Sequence, residues 1–266
     1  MFDALGIRMK NNYESIPNSR LTRRTPVIIR IDGKAFHTFS KGFMRPFDKT
    51  LAESIQETAL ELCENIQNAK FAYCQSDEIS ILMIDYTDLK TGAWFENKVQ
   101  KIDSISASMA TLYFNRIFKE KLHEYLVLCE NLDDERYKRY KPYLEAYLKA
   151  YQSGAMFDAR CFNVPREEVT NYFLWRQNDA IRNSIQMAAQ AKYSQKQLMN
   201  KNTKEMQSML LEKDIDWNDY PTYLKRGTAI IKGRCGWRID KEMPILKNEG
   251  RDYVEKYLYP ESGTEN

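Results

Sequence analysis

The chain predicts an α+β fold: a βαββαβ antiparallel sheet with helices on one face, then a helical C-terminal extension ending in a small β-hairpin. Three observations predict it. Val27, Ile28, Ile29, Arg30 and Ile31 form a short, mostly β-branched apolar run opened by Pro26 and closed by Asp32-Gly33, too short for a helix. Leu51, Ile55, Thr58/Ala59, Leu62 and Ile66 then recur at helical spacing behind Asp48, a good N-cap. Residues 71–74 and 79–84 are two more strand-like runs around the polar tetrad Gln75-Ser76-Asp77-Glu78, a hairpin with two carboxylates at its tip. Strand, helix and hairpin are half of a βαββαβ unit.

In that topology the end of the first strand and the turn of the hairpin meet at one rim of the sheet, so Asp32 and Asp77 face each other. A carboxylate ending a core strand is rigidly held yet reaches the rim, where a hard cation can bind. The glycine behind it lets the backbone turn and a ligand approach the main chain. Taken alone, Asp32-Gly33 is also an ordinary turn. Two or three carboxylates without His or Cys among them suit Mg²⁺ better than zinc.

Length and composition fit this reading without sharpening it. The 266 residues suit a single domain, with a core at 26–165 and an extension at 166–266. At 43% hydrophobic and 29% charged, the chain has the composition of a soluble globular protein. Its 40 basic and 37 acidic residues leave a net charge of +3, so nucleic-acid binding needs a local patch. The five cysteines (Cys63, Cys74, Cys129, Cys161, Cys235) form no CxxC pair and read as reduced thiols of a cytoplasmic protein rather than a zinc site. No apolar run reaches transmembrane length, and no signal-like segment opens the chain.

The remaining segments follow in order. Residues 1–25 are polar and end in Arg20, Arg23 and Arg24, a solvated lead-in or a basic cluster for phosphates. Residues 38–47 form a loop carrying Lys41 and Arg45. Trp94 and Phe95 open a helix whose apolar face is Ile102, Ile105, Met109, Leu112 and Ile117. Lys98 and Lys101 near its start are either solvated or placed to meet anions. In residues 131–152, Tyr140, Tyr143, Tyr147 and Tyr151 follow helical spacing and suggest a packed face. The interleaved bases leave RNA stacking open. Residues 155–164 complete the sheet, a long helix covers about 166–192, and a polar Lys-rich helix covers 196–213. A short strand at 228–231 turns at Gly233-Arg234-Cys235-Gly236 and returns through Trp237, Arg238 and Ile239. Residues 255–266 read as a frayed end.

Arg30-Ile31-Asp32-Gly33-Lys34-Ala35-Phe36-His37 and Gln75-Ser76-Asp77-Glu78 resemble the two signature blocks of the tRNA(His) guanylyltransferase family, reverse-direction (3′→5′) nucleotide polymerases with a palm domain. The resemblance continues in Phe157-Asp158-Ala159-Arg160, Trp175-Arg176-Gln177-Asn178-Asp179 and Lys225-Arg226-Gly227-Thr228, in family order. After Asp179 the eukaryotic enzymes carry a His-Ile-Asn-Asn tract, where this chain has Ile181-Arg182-Asn183-Ser184. That departure is more similar to the Thg1-like, template-dependent branch.

The resemblance implies an enzyme of tRNA 5′-end repair. It adds nucleotides to the 5′ end of tRNA against the opposite strand, including guanosine at the −1 position of tRNA(His). The 5′ end is first activated by a nucleoside triphosphate, ATP or GTP. It implies Asp32, Asp77 and Glu78 as catalytic residues, and two Mg²⁺ ions on Asp32, Asp77 and the Gly33 carbonyl. Nucleotide contacts fall to Asp32, Gly33, Lys34, Ala35, Phe36, His37, Arg45, Ser76, Asp77, Lys98 and Lys101, with the amides of residues 34–37 cradling the triphosphate. His37 is otherwise a partly buried neutral side chain. A homotetramer is implied as well. The rivals are a dedicated non-templated tRNA(His) guanylyltransferase, a nucleotidyl cyclase and a non-catalytic RNA-binding module. The Trp175 to Asp179 block argues against the cyclase. Retention of both Asp32 and Asp77 argues against the binding module.

Overall fold

Val27, Ile29 and Ile31 turn to one face of the first strand, and Ile28, Arg30 and Asp32 to the other, so one strand feeds two layers. The computed structural model describes residues 3–259. In chain order the first elements are α1 (Ala4–Met9), β1 (Val27–Gly33), α2 (Phe36–Phe39), α3 (Lys49–Asn65), β2 (Ala69–Gln75) and β3 (Glu78–Met83). They are followed by α4 (Val99–Glu130), α5 (Asp134–Ser153), β4 (Phe157–Asn163), α6 (Arg166–Gln190), α7 (Gln195–Leu198) and α8 (Thr203–Leu211). The chain continues through α9 (Thr222–Arg226), β5 (Thr228–Gly233), β6 (Gly236–Asp240) and α10 (Asp252–Glu255).

The strands form one sheet in the order β4-β1-β3-β2-β5-β6, every neighbouring pair antiparallel. The first four strands give the expected βαββαβ arrangement, and the C-terminal hairpin extends the same sheet through β5 against β2. Helices α3, α4 and α5 cover one face around Ile29, Ile31, Ile81, Phe114 and Tyr147. The extension covers the other face. There α6 and the segment bearing Met243, Leu246, Val254 and Leu258 bury Ile28, Phe71 and Leu82. Burying both faces explains why β3 is buried at every position.

Asp48 caps α3 as expected, accepting from the Leu51 amide at 2.9 Å. It also takes the Met44 amide and the hydroxyl of buried Tyr147, at 2.6 Å, which fastens α5 to the start of α3. In the tyrosine-rich segment, Tyr140, Tyr143 and Tyr147 pack inward while Tyr137 and Tyr151 are exposed.

Several expectations are corrected. The buried face of α4 is Ile102, Ser106, Ala110, Phe114, Ile117, Phe118, Leu122, Tyr125 and Cys129; of the expected apolar face Ile102 and Ile117 are buried and Met109 packs against the core, while Ile105 and Leu112 face solvent. Ser106 and Ala110 are small enough to let the helix lie close to its neighbours, so packing rather than side-chain hydrophobicity chose the face. Trp94 and Phe95 do not open α4. They belong to a 3₁₀ turn with left-handed Phe95 and Glu96, and the helix begins after Lys98. The Lys-rich helix is broken at residues 199–202, where Asn200 has φ 61° and Asn202 opens a capping box with Glu205. Residues 38–47 are not all loop, since α2 reaches Phe39. At the C-terminal end Leu258 is buried in the core, and residues 260–266 of the expected frayed tail lie outside the described residues.

The lead-in is tied down rather than free. Arg20 pairs with Glu96 and forms a bridge to Lys98, and Arg23 pairs with Asp85 at 2.6 Å. These arginines neutralise carboxylates of the chain itself and do not converge on a phosphate site. Among the described residues no helix is long and apolar enough to cross a membrane.

Candidate active site

The register of β1 carries the site. Asp32 is cross-strand partner to Glu78 on β3 and to Asp158 on β4, which lines up three carboxylates at one end of the sheet. A two-residue turn, Ser76-Asp77, joins Gln75 to Glu78, with Ser76 in the left-handed region. The Gly33 amide donates to the Asp77 carbonyl at 3.1 Å, so the strand end and the hairpin turn are joined through backbone. Asp32 and Asp77 meet at this rim, as the topology predicts.

The surrounding carboxylates differ in their compensation. Glu78 is buried and fully engaged: Arg176 holds both of its oxygens at 2.7 Å and Arg30 adds a bond at 2.8 Å. Asp158 takes Arg160 at 3.0 Å, and Asp179 takes Arg176 at 3.0 Å and also Arg182. Among the described residues Asp32 and Asp77 form no ion pair. Among the described residues the Asp77 carboxylate accepts the Ser76 hydroxyl, at 2.9 Å. Burial raises its carboxyl above the usual range, the charges of Asp32 and Glu78 push the same way, and the Ser76 hydrogen bond opposes them. Glu78 is thus not a second free carboxylate at the hairpin tip. Its oxygens are occupied by guanidinium groups.

Two adjacent carboxylates without cationic partners are a donor set for a hard divalent ion. Among the described residues no group of three or more His, Cys, Asp or Glu side chains is placed to form a metal cage. Mg²⁺ needs no such cage, because water and substrate phosphates complete its shell. The residues present therefore fit it.

Gly33 is required for a different reason than the sequence suggests. A Cβ there would lie 2.2 Å from the Phe36 ring, which is buried against Phe39, Phe114 and Phe157. The left-handed turn falls instead at Ala35, φ 54°. Of the four amides in the expected cradle, that of Lys34 is already spent on the Met156 carbonyl at 2.8 Å. Those of Ala35, Phe36 and His37 donate to no backbone carbonyl among the described residues. His37 and Lys34 are exposed, so the buried neutral reading of His37 does not hold.

Beside the turn opens a cavity of about 330 Å³ between α3, the end of β2, α6 and α9. Its wall includes Phe47, Gln56, Gln75, Ser76, Asn183 and Tyr223. Arg45 is exposed, two residues before Phe47. Gly227, with φ 84°, also lines it, and a Cβ there would strike the Tyr73 hydroxyl at 2.4 Å. Ile181 faces away, into a separate apolar cluster with Ile185, Leu198 and Met206.

Lys98 and Lys101 are not brought to this rim. Thr111 of α4 meets the amide of Phe157, the partner of Gly33, whereas Lys98 stands thirteen residues earlier. That is about 20 Å down the helix. There Lys98 pairs with Glu96, and Lys101 lies over the Phe95 ring. The order of motifs along a chain does not set their height along a helix. Sequence reading also missed the Arg30 and Arg176 grip on Glu78, whose only signal was an arginine in the Trp175 block.

The family model described as Thg1, tRNAHis guanylyltransferase, matches residues 7–165. A bacterial tRNA(His) guanylyltransferase (Thg1)-like protein in complex with ATP is 45% identical with a TM-score of 0.81, spanning 97% of this chain and all of that one. Another bacterial Thg1-like structure, in complex with GTP, is 42% identical with a TM-score of 0.76 over the same share of each chain. A probable tRNA(His) guanylyltransferase of Dictyostelium discoideum is 25% identical over 243 residues, 86% of this chain and 83% of its own.

Proposed function

The chain belongs to the tRNA(His) guanylyltransferase family of nucleotidyltransferases, and on that premise we propose that it extends the 5′ end of tRNA in the 3′→5′ direction, copying the opposite strand. The observation that carries this reading is the pair Asp32 and Asp77, uncompensated at the rim while every carboxylate around them is paired. Support for a nucleotide substrate comes from the relatives solved with ATP and GTP.

The reaction has two steps. An oxygen of the RNA 5′-monophosphate attacks the α-phosphorus of a nucleoside triphosphate, pyrophosphate leaves, and the 5′ end carries a nucleotidyl group. The 3′-hydroxyl of the incoming nucleotide then attacks the 5′ phosphorus, and the activating nucleoside monophosphate departs. An RNA with a 5′-triphosphate needs only the second attack and releases pyrophosphate. Asp32, Asp77 and the Gly33 carbonyl would hold Mg²⁺, which supplies charge neutralisation at the phosphates. The chain's own work is positioning. The amides of Ala35, Phe36 and His37 offer donors to phosphate oxygens, with Lys34 and His37 exposed beside them. The 330 Å³ cavity next to Ser76 takes a nucleotide base between apolar walls, with Gln56, Gln75 and Asn183 for its polar edge.

Copying the opposite strand fits the departure at Ile181, which is committed to packing. An enzyme that adds guanosine regardless of the opposing base needs protein groups to choose it. A templated enzyme leaves that choice to base pairing. The free thiols, four buried and Cys235 exposed, accord with a reducing, cytoplasmic setting.

The test is extension of a 5′-truncated tRNA with labelled nucleotides and Mg²⁺, with the opposing base switched from C to A. The reading expects the added nucleotide to switch from G to U. Guanosine added opposite A with comparable efficiency favours the non-templated enzyme, and no addition at all rejects the proposal.

A further inference from the structure

Trp175 has no role in the proposed reaction, yet it is placed for one. It sits on α6 with 53% of its surface exposed, although the ring is held in place. The Arg176 guanidinium lies 4.5 Å from the indole centroid and that of Arg30 5.8 Å, while Tyr172 meets it edge-on at 5.9 Å. Both arginines are fixed in turn by Glu78. A large aromatic surface that is open to solvent and already immobilised loses little entropy when a base stacks on it.

Its place on the sheet says which base. Arg30 lies two residues, about 7 Å, behind Asp32 on the same face of β1. On the neighbouring strand Arg160 is the partner of Arg30 and Asp158 the partner of Asp32. That strand, β4, is an edge of the sheet, and Asp158 and Arg160 are both exposed there. An open shelf therefore runs from the rim carboxylates past Arg160 to the indole. Trp175 lies outside the 330 Å³ cavity, so a free nucleotide already has an enclosed seat elsewhere. A shelf without walls suits the end of a polymer that is anchored by the rest of its length.

We infer that Trp175 is the stacking platform for the base of the 5′-terminal nucleotide of the RNA, whose backbone phosphate lies against Arg160. The inference rests on the proposed function, since it takes an RNA 5′ end to be held at Asp32 and Asp77. It assigns Trp175 a ligand, and it assigns the Glu78 network a second task, fixing that platform relative to the rim.

The experiment is a double-mutant cycle between protein and RNA, read by anisotropy of a 3′-fluorescein acceptor-stem hairpin bearing a 5′-triphosphate. One RNA is complete, and the other is abasic at its first nucleotide. The wild-type chain should bind the abasic RNA about 5- to 100-fold more weakly. Trp175→Ala should bind the complete RNA with a similar loss and should no longer distinguish the two RNAs. If the alanine variant does not fold, Trp175→Leu keeps an apolar contact on Tyr172 without a π face and must give the same result. Equal affinity of the wild-type chain for both RNAs overturns the inference and leaves the proposed function standing. So does a Trp175 variant that still prefers the complete RNA. A wild-type chain that binds neither RNA overturns both.

Discussion

Arg176 grips Glu78 side-on, Nε to one carboxylate oxygen and a terminal nitrogen to the other, each at 2.7 Å, across a sequence separation of 98. Both side chains are 5% exposed. The pair joins α6 to the first residue of β3, next to Asp77. Arg30 and Asp179 extend it into a chain of alternating charges. The hairpin turn is thereby fixed from behind, and Asp77 is left unpaired at the front.

Removing one partner of a buried pair leaves a charge in the interior, a heavier loss than the net worth of the pair. Arg176→Ala should therefore destabilise the chain by about 3 kcal/mol, with the remaining Arg30 bond keeping the loss at the low end of the usual range. A urea titration checks it through the midpoint, with an unchanged m-value. Arg176→Lys should recover only part of the loss, because an ammonium cannot make the two-toothed contact.

Gly33→Ala should destabilise through the Phe36 ring rather than through backbone strain. The added methyl would stand 2.2 Å from that ring, and overpacking of this kind costs about 1–3 kcal/mol. The double variant Gly33→Ala, Phe36→Leu should lose less than the sum of the two single changes. Strict additivity would assign the glycine to some other constraint.

Asp77 sets a pH dependence whose sign is fixed. Its carboxyl is held above the ordinary range, so between about pH 4 and its raised value the folded chain keeps a proton that the unfolded chain has lost. That contribution to stability is fully present below the unfolded pKa and is lost as pH rises through the folded one. In EDTA the wild-type chain should therefore lose thermal stability relative to Asp77→Asn as pH rises from about 4. Adding Mg²⁺ at neutral pH should raise the wild-type Tm and leave the variant's unchanged. A parallel pH course for the two proteins rejects the raised carboxyl.

Where structure is local, the sequence could be read. The β-branched run at Val27, the spacing behind Asp48 and the polar tetrad at Ser76-Asp77 each announce their element, and together they bring Asp32 to Asp77. What depends on distant partners could not be read. Glu78 looks like a second free carboxylate until Arg176 closes on it. The buried face of α4 runs through Ser106 and Ala110, which carry no hydrophobic signal. Lys98 and Lys101 sit in the right motif order at the wrong end of their helix. The break before α8 did leave a signal, Asn202 three residues ahead of Glu205, hidden by the regular lysine spacing around it.

The most direct test of the account is transfer by Asp32→Ala and Asp77→Ala, measured in single turnover on a 5′-triphosphorylated RNA with saturating nucleotide and Mg²⁺. The two residues are unpaired rim carboxylates rather than core, so both variants should fold with urea midpoints close to wild type. Each should lose on the order of a thousandfold or more in rate, as expected when an ion that neutralises the reacting phosphates loses a ligand. A folded variant that transfers within about tenfold of wild type would contradict the assignment of this rim as the site of chemistry.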